Sequence, residues 1–406
     1  MPTIQIVEQG AHVLFARQAQ GEDAPAELEW RSSELSATNL AHLDVPGNCF
    51  IFASSNVYMQ SEHLRHDLSR HFQIPDWFWG GRYLSSNGSF GSDEVYDNDT
   101  QAYTPQIWSQ YLVKQLEQNT GYKHHGYVWY SIKIFAFQNA SGKTSVLCLD
   151  TPDRFRLRLL ESLKSRGWRS DDPDIYQLHT FLLDQIINLY DESVWALRDL
   201  VRNLERGRTG IRHVEPDFPV LHDIARHAIH VSETLDVAIE NMSSMLRQYT
   251  SFPEDRSFQS AEEKTKSRRT TQCFNFQMQT LKGLKARSAS NQARMQNEIT
   301  LAFNLVTQRD SQVALSISGA MRSDSTAMKT VAILTLTFLP ATFVSAIFST
   351  SFFDFSPPAQ PKTATWTVSN KFWIYWAFAA PLTVATVVSW FVWQRWYIRK
   401  SAQMHA

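Results

Sequence analysis

The chain has 406 residues, with 39 basic and 40 acidic side chains and therefore a net charge of −1. A balance this close to zero gives no argument for a nucleic-acid partner, and the length predicts two or three domains. Cys49, Cys148 and Cys273 are too far apart for a disulfide framework or a cysteine metal site, which favours a soluble part in the reducing cytosol.

The first 150 residues combine short apolar runs with helical patterns and predict an α/β domain, in which helices cover a sheet. Strands are expected at 4–7, at 12–16 and at Cys49–Ala53. Segments 128–137 and 145–149 predict a strand pair, because a run of turn-forming residues lies between them.

The same part of the chain has two helical patterns and one loop pattern. Helices are expected at 60–72 and at 105–118, the second because Pro105 stands at an early helical position. Residues 85–99 are rich in Ser, Gly, Asn and Asp and predict a surface loop. No basic region followed by an apolar core opens the sequence, so we expect no signal peptide.

Strand patterns stop near residue 152, and the chain then becomes helical. Apolar residues recur at helical spacing over 174–207 and over 220–249. A third pattern begins near residue 260 and meets no proline until Pro340. We therefore expect a helical region over 151–329, with a long stalk helix over about 260–329.

Two uncharged runs follow, at 331–353 and at 372–393. Each has about 22 residues, which is enough to cross the hydrocarbon core of a bilayer. A membrane-spanning backbone satisfies its hydrogen bonds only as a helix or a closed barrel, so these runs predict a transmembrane hairpin within 330–406. The expected fold class is an α+β membrane protein with an α/β cytosolic head over 1–150, a long helical stalk and two C-terminal transmembrane helices.

One face of the long helix is marked by a stripe at spacings of three and four residues, with Asp310 and Asp324 as interruptions. Its members are Ile299, Phe303, Val306, Val313, Ile317, Ala320, Met328, Val331, Thr335, Leu339, Thr342, Ala346 and Ser349. This spacing is typical of coiled-coil packing between helices. An amphipathic helix packed on its own domain is the alternative, but lipid contact would not require Thr335 and Thr342 on this stripe.

The basic residues around the two runs predict an orientation. The cations that flank the pair of spans are Arg322, Lys329, Arg395, Arg399 and Lys400, and those of the connecting loop are Lys362 and Lys371. Because basic residues concentrate on the cytosolic side, both termini are expected in the cytosol and the loop outside. The sequence does not distinguish a plasma membrane from an internal one.

The run Phe-Leu-Pro-Ala-Thr-Phe-Val-Ser-Ala-Ile-Phe at 338–348 resembles the first span of the CorA family of divalent-cation transporters, closest to divergent fungal members. The resemblance implies a homopentamer in which the first span lines a central pore. It implies narrow apolar rings at Met328, Val331 and Leu339, a polar ring at Thr342 and a close-packing position at Ala346. Mg²⁺ is the first ion implied, with Zn²⁺, Co²⁺ and Ni²⁺ as the others.

The outer mouth departs from that family. Where its members have Gly-Met-Asn, this chain has Ser349, Thr350 and Ser351. Mg²⁺ gives up water reluctantly, so its entrance should hold a hydrated ion through polar oxygens, which three hydroxyls can supply. Asp354, repeated around an oligomer, would add a ring of negative charge; a single interfacial carboxylate without a role is the alternative.

Two other polar clusters are candidate sites. Asp223, His227 and His230 have a spacing that could bind a metal such as Zn²⁺, but a solvated helix face is the favoured interpretation. The basic residues between 264 and 269 are also interpreted as a solvated face.

No phosphate-binding loop, nucleophile elbow, zinc-protease motif or Cys-X-X-Cys pair occurs in the sequence, so we expect no enzyme and no cofactor. The sequence thus predicts divalent-cation transport through a homo-oligomeric pore. The alternative, suggested by the missing Gly-Met-Asn, is a non-conducting membrane-tethered sensor or interaction protein. A tail-anchored enzyme has only the α/β head in its favour.

Overall fold

Seven strands form one mixed sheet in the first part of the chain. The computed structural model describes residues 10–18, 28–36, 40, 48–97, 102–116, 126–139, 142–165, 174–207, 216–251, 261–349 and 370–404. The strands are β1 (Gly10–Gln18), β2 (Leu28–Ser36), β3 (Cys49–Ala53), β4 (Gly88–Asp97), β5 (Ala102–Leu116), β6 (Tyr127–Gln138) and β7 (Thr144–Leu149). Their order is β2-β1-β3-β7-β6-β5-β4, with β3 and β7 parallel and the other neighbours antiparallel.

The two faces of this sheet belong to separate cores, because side chains alternate along each strand. Phe50 and Val146 pack into a core formed with the longer helices, whereas their neighbours Ile51 and Leu147 pack against the shorter ones. Strands buried on both faces have nearly continuous apolar sequences, as β3 and β7 do. The strands expected at Cys49–Ala53, 128–137 and 145–149 are confirmed, and 12–16 lies within β1. The expected strand at 4–7 lies outside the described residues.

Three short helices contribute to the second core: α1 (Ser55–Gln60), α2 (Glu62–Phe72) and α3 (Gly81–Leu84). The expected helix at 60–72 is confirmed as α2, which begins two residues later. Ser61 separates α1 from α2 because its backbone is extended and its hydroxyl accepts a hydrogen bond from the Leu64 N–H at 3.5 Å. That arrangement is an N-cap, which satisfies one of the free donors of the first helical turn.

The helix expected at 105–118 is wrong, because this segment forms most of β5. Ile107, Tyr111 and Val113 are buried at even spacing, which is the period of a strand. Pro105 pairs with Glu94 of the edge strand β4 rather than opening a helix. A proline beside an edge strand costs the sheet little, so its presence did not indicate a helix start here.

The loop expected at 85–99 is also wrong, because Gly88–Asp97 forms β4. The polar and glycine-rich composition has two causes: β4 is an edge strand, and the Trp108 ring of β5 lies over one of its residues. Gly91 pairs with Trp108, and a Cβ at position 91 would meet the Trp108 ring at 2.4 Å. Glycine is therefore required at this position by the close approach of the indole.

Long helices follow the sheet, and the described residues after β7 contain no strand. They are α4 (Asp153–Ser165), α5 (Ile175–Gly207), α6 (Phe218–Ser251), α7 (Ala261–Phe348) and α8 (Phe372–Met404). The helices predicted at 174–207 and 220–249 are confirmed as α5 and α6. Helix α7 begins where the stalk was expected and continues through Pro340 without a break.

The first forty residues of α7 pack against α5 and α6 through apolar residues and several polar side chains. Gln277 donates to the Thr180 carbonyl at 2.7 Å, and Asn291 donates to the Val194 carbonyl at 3.3 Å. Lys285 donates to the Ser232 carbonyl at 3.0 Å, and Arg294 forms two bonds to Glu205 at 2.8 and 2.6 Å. These contacts fix the register of α7 on the sheet-containing part, since each joins a particular pair of turns.

The chain divides into two compact units, Met1–Phe303 and Asn304–Ala406. The first contains the sheet, α1 to α6 and the start of α7. The second contains the rest of α7 and all of α8. The predicted fold class is confirmed in this form: an α+β protein with a mixed-sheet domain, one long helix and two C-terminal apolar helices.

Candidate functional site

Among the described residues, two helical segments are long and apolar enough to cross a membrane by length and composition: the end of α7 and the body of α8. Only 11% and 6% of their most apolar 18-residue segments are buried. A core helix of a soluble protein would be mostly buried, so this exposure requires another apolar medium. The chain is accordingly a membrane protein with two candidate spans. The first ends at Phe348, before the predicted limit of 353, and α8 extends beyond the predicted limit of 393.

These two helices contact each other along one narrow face. Pro340 and Val344 are buried on α7, and Ala379 is 2% exposed on α8. The Tyr375 hydroxyl donates to the Ala341 carbonyl at 3.3 Å. Small residues at such a crossing let two backbones approach, which is the usual basis of helix pairing in membranes.

The predicted stripe lies on the other side of α7. Thr342 and Ala346 are each about 160° around the helix axis from Val344, at 100° per residue. Met328 is 74% exposed, Val331 62% and Leu339 60%. The side chains of Thr335, Thr342, Ala346 and Ser349 are exposed as well. The structure thus brings all seven predicted positions onto one continuous face, directed away from α8.

The hydroxyl groups on this face are oriented by the helix itself. Thr335 donates to the Val331 carbonyl at 2.9 Å, Thr342 to the Leu339 carbonyl at 2.9 Å, and Ser349 to the Ala346 carbonyl at 2.8 Å. Each hydroxyl proton is therefore engaged in the backbone, and the oxygen keeps lone pairs that can accept. A face of this kind suits cations and the protons of their hydration water, and it offers anions no donor.

The predicted outer mouth is described only at its first residue. Ser349 is exposed at the end of α7, in a turn. Thr350, Ser351 and Asp354 lie outside the described residues, so their predicted roles at the mouth stay predictions.

The interpretation of Asp223, His227 and His230 as a solvated helix face is wrong. His227 is fully buried and Asp223 is 7% exposed. Their helix, α6, lies against the sheet, where the Tyr127 ring lies 5.2 Å from the His227 ring. The period of α6 would have shown this, since His227 shares a face with the apolar residues Ile224 and Val231.

A metal does not fit this cluster either, because a lysine occupies it. The Lys114 ammonium lies 2.9 Å from Nδ1 of His230 and 4.1 Å from the centre of the Tyr127 ring. Burial, followed by the charge of Arg226, lowers the pKa of Lys114 to about 8. The described residues contain no group of three His, Cys, Asp or Glu side chains placed to hold a metal. Sequence reasoning missed Lys114, which no local pattern connects with α6.

No family model matches the chain. It is 32% identical over 293 residues to "Notoamide biosynthesis cluster protein M'" of Aspergillus versicolor, an alignment that covers 68% of this chain and 61% of that protein. The chain therefore spans about three fifths of the length of this curated relative.

Three solved structures have a similar arrangement. The full-length CmaX protein aligns with 97% of this chain and 99% of its own, at 14% identity and a TM-score of 0.47. The CorA magnesium transporter of Methanocaldococcus jannaschii aligns with 95% of this chain and 98% of its own, at 12% identity and a TM-score of 0.44. The ZntB cytoplasmic domain of Vibrio parahaemolyticus aligns with 69% of this chain and 94% of its own, at 8% identity and a TM-score of 0.41.

Proposed function

We propose that this chain is a CorA-like divalent-cation transporter, in which copies of α7 surround a pore lined by the face from Met328 to Ser349. The observation that carries the proposal is the position of this face, opposite the α8 contact and bearing hydroxyl oxygens that can only accept. In a hairpin of two spans, the face that turns away from the partner span meets either lipid or another copy of the same helix.

Self-association is supported by the part of α7 that precedes the span. Every side chain from 307 to 331 is exposed, including the apolar Val313, Leu315, Ile317 and Met321. A helix without tertiary packing is marginal in water, and most helical stability in proteins comes from packing an apolar face. Copies of α7 packed side by side would bury these residues, and the CorA resemblance makes a homopentamer the proposed assembly.

Mg²⁺ is the proposed ion, with Zn²⁺, Co²⁺ and Ni²⁺ as alternatives. Mg²⁺ keeps several water molecules when it binds. Rings of accepting hydroxyls at Thr335, Thr342 and Ser349 would hold those waters without stripping them. The apolar positions Met328 and Leu339 would form the narrow parts between the polar rings. Both termini are proposed to lie in the cytosol, on the basic side of the spans.

The experiment is a flux measurement on protein reconstituted in liposomes, with the ions Mg²⁺, Zn²⁺, Co²⁺ and Ni²⁺ tested in turn under a gradient and a potential. Thr342→Val removes one hydroxyl ring without changing side-chain shape and should reduce flux. Thr337→Val is the matched control, because Thr337 also donates to its own helix, to the Ile333 carbonyl at 2.8 Å, but lies on the opposite side. No flux of any ion, or equal flux in the two variants, would contradict the proposal.

A second function is favoured by Ser349, Thr350 and Ser351 in the place of Gly-Met-Asn. A membrane-tethered sensor or interaction protein that keeps the CorA-like architecture would not need that mouth. For such a protein, Thr342→Val would leave cellular metal content unchanged while loss of the sheet-containing domain still produced a phenotype. The mass of the detergent-solubilised complex separates the two at the outset, since a monomer cannot enclose a pore between copies of one helix.

A further inference from the structure

A cationic side chain is enclosed between the sheet and α6, far from the candidate pore face in sequence. Lys114 of β5 is 1% exposed, and its ammonium lies over the rings of Tyr127 and Trp129 at 4.1 and 4.9 Å. Both rings belong to β6, the neighbouring strand. The ammonium also lies 2.9 Å from Nδ1 of His230 on α6. This is a cation–π site whose third side is an imidazole.

Helix α6 places a second histidine and two charged groups beside this site. His227 is fully buried, and its Nε2 lies 3.4 Å from Oδ2 of Asp223. Arg226 donates to Oδ1 of the same carboxylate. Glu233 lies near His230 and raises its pKa, an effect that burial and Lys114 outweigh.

The remaining neighbour, α5, contacts strand β5 beside Lys114 through Ser193 and Tyr190. Ser193 donates to the Lys114 carbonyl, and Tyr190 donates to the Leu112 carbonyl at 3.0 Å. Burial raises the pKa of Tyr190 well above its ordinary value. The charges that face Lys114 are therefore those of Asp223 and Arg226, together with any proton gained by the two histidines.

Helix α6 is hydrogen-bonded to α7 at Ser232, two residues after His230. Lys285 of α7 donates to the carbonyl of Ser232 at 3.0 Å and to its hydroxyl at 2.9 Å, and it also pairs with Asp236. His230 and Ser232 are two residues apart in α6. The buried site on the sheet is thus connected to the long helix through one turn of α6.

We propose that Lys114, His227 and His230 form a proton-sensitive contact that holds α6 on the sheet when the histidines are neutral and loosens it, together with its attachment to Lys285, when they gain protons. A protonated imidazole 2.9 Å from an ammonium is a pair of like charges in a buried place. Of the two carboxylates near the histidines, Asp223 already pairs with Arg226, and the effect of Glu233 on His230 is outweighed by burial and Lys114. The inference does not depend on transport, because its consequence is a change in the protein's own structure.

The direction of the pH effect follows from the histidines. Burial, followed by the charge of Lys114, lowers the pKa of His227 from 6.5 to about 4, and the same two causes lower the pKa of His230. In an opened state these rings regain ordinary values and take up protons first as the pH falls below 6.5. The contribution of the histidines is therefore complete above pH 6.5 and weakens between pH 6.5 and 4. For His227 alone, the opening constant should rise about thirtyfold between pH 7.5 and pH 5.

Hydrogen exchange of the full chain in detergent, corrected for the intrinsic effect of pH on exchange, tests this inference. Peptides from α6 and from the α7 segment around Lys285 should lose protection by more than the roughly thirtyfold due to His227 alone between pH 7.5 and pH 5, because His230 adds to it, whereas peptides from β1 should not. Local exchange is the required readout, because His179 on α5 is also buried with a lowered pKa and affects the global stability.

Two variants and one control make the assignment. Lys114→Met removes the ammonium charge and should reduce the pH-dependent loss of protection at α6. His230→Gln removes one titrating ring, leaves Lys114 in the sequence, and should also reduce that loss. His222→Gln, an exposed histidine of the same helix, should leave it unchanged. The proposal is overturned if wild-type α6 shows no more pH sensitivity than β1, or if both variants keep the full effect. Should either variant fail to fold, the wild-type comparison and the other variant still decide.

Discussion

Thr342 and Val344 are two positions apart on α7 and lie on opposite sides of it. Val344 is 6% exposed at the contact with α8, whereas Thr342 is exposed and its hydroxyl is bonded to its own backbone. One helix therefore has a packed side, which any hairpin of spans would need, and a polar side, which the hairpin alone does not use. That division is the physical basis for proposing that copies of α7 meet along the polar side.

Assembly of the complex should depend on the part of the stripe that precedes the membrane span in the sequence. Ile317→Glu places a charge on the stripe, where copies of α7 would pack, and should lower the mass of the detergent-solubilised complex towards that of one chain. A buried uncompensated carboxylate is costly, which is the reason for the expected dissociation. Gln312→Glu adds the same charge roughly on the opposite side of the helix and should leave the mass unchanged. Equal behaviour of the two variants would contradict the proposed direction of the stripe.

The pairing of the two spans should be sensitive to side-chain size at Ala379. Replacing this buried alanine by leucine forces added volume into the crossing with α7 and should destabilise the pair by about 1–3 kcal/mol. Ala380 is the next residue and is exposed, so Ala380→Leu serves as the control and should have little effect. The thermal midpoint in detergent measures the difference. If Ala380→Leu had a lower thermal midpoint than Ala379→Leu, α8 would contact α7 through Ala380 and not through Ala379, which would contradict this contact.

The parts of the structure that the sequence predicted correctly depend on local periodicity. Helices α5 and α6 and the two apolar helices repeat one signal over several turns, and β3 and β7 are short apolar runs bounded by turns. The sequence did not predict β5, because Pro105 indicated a helix start, whereas the even spacing of the apolar residues after it indicated a strand. The Lys114–His230 contact joins residues 116 positions apart, so no local pattern could contain it. The sequence does show the stripe on α7, because residues on one face of a single helix recur every three or four positions.

Asp150 should be important for the stability of the sheet-containing unit. It follows β7 with a left-handed backbone, φ 58°, accepts from the Ser55 N–H at 2.8 Å at the start of α1, and pairs with the buried Lys133 at 2.7 Å. Asp150→Asn keeps a residue that tolerates this φ but removes the charge that Lys133 faces. We expect a loss of about 2 kcal/mol, the usual value of a hydrogen bond to a charged group, seen as a fall in the thermal midpoint. Asp153→Asn is the control, because the Asp153 side chain is 75% exposed. An unchanged midpoint in Asp150→Asn would show that the buried lysine is satisfied by the Ser131 carbonyl at 3.1 Å alone.

His179 should make the sheet-containing unit less stable in acid. It is fully buried on α5, and burial lowers its pKa from 6.5 to about 4. In the unfolded chain the His179 imidazole therefore binds a proton below pH 6.5, whereas in the folded chain it binds one only near pH 4. Stability is full above pH 6.5 and falls as the pH decreases, by about 2 kcal/mol at pH 5 from this residue alone. Denaturant titrations at pH 7.5 and pH 5 should show this loss in the wild type, and His179→Phe should show a smaller one. His222→Gln, which changes an exposed ring, should reproduce the wild-type difference; a His179→Phe protein with the same acid sensitivity as the wild type would exclude His179 as the cause.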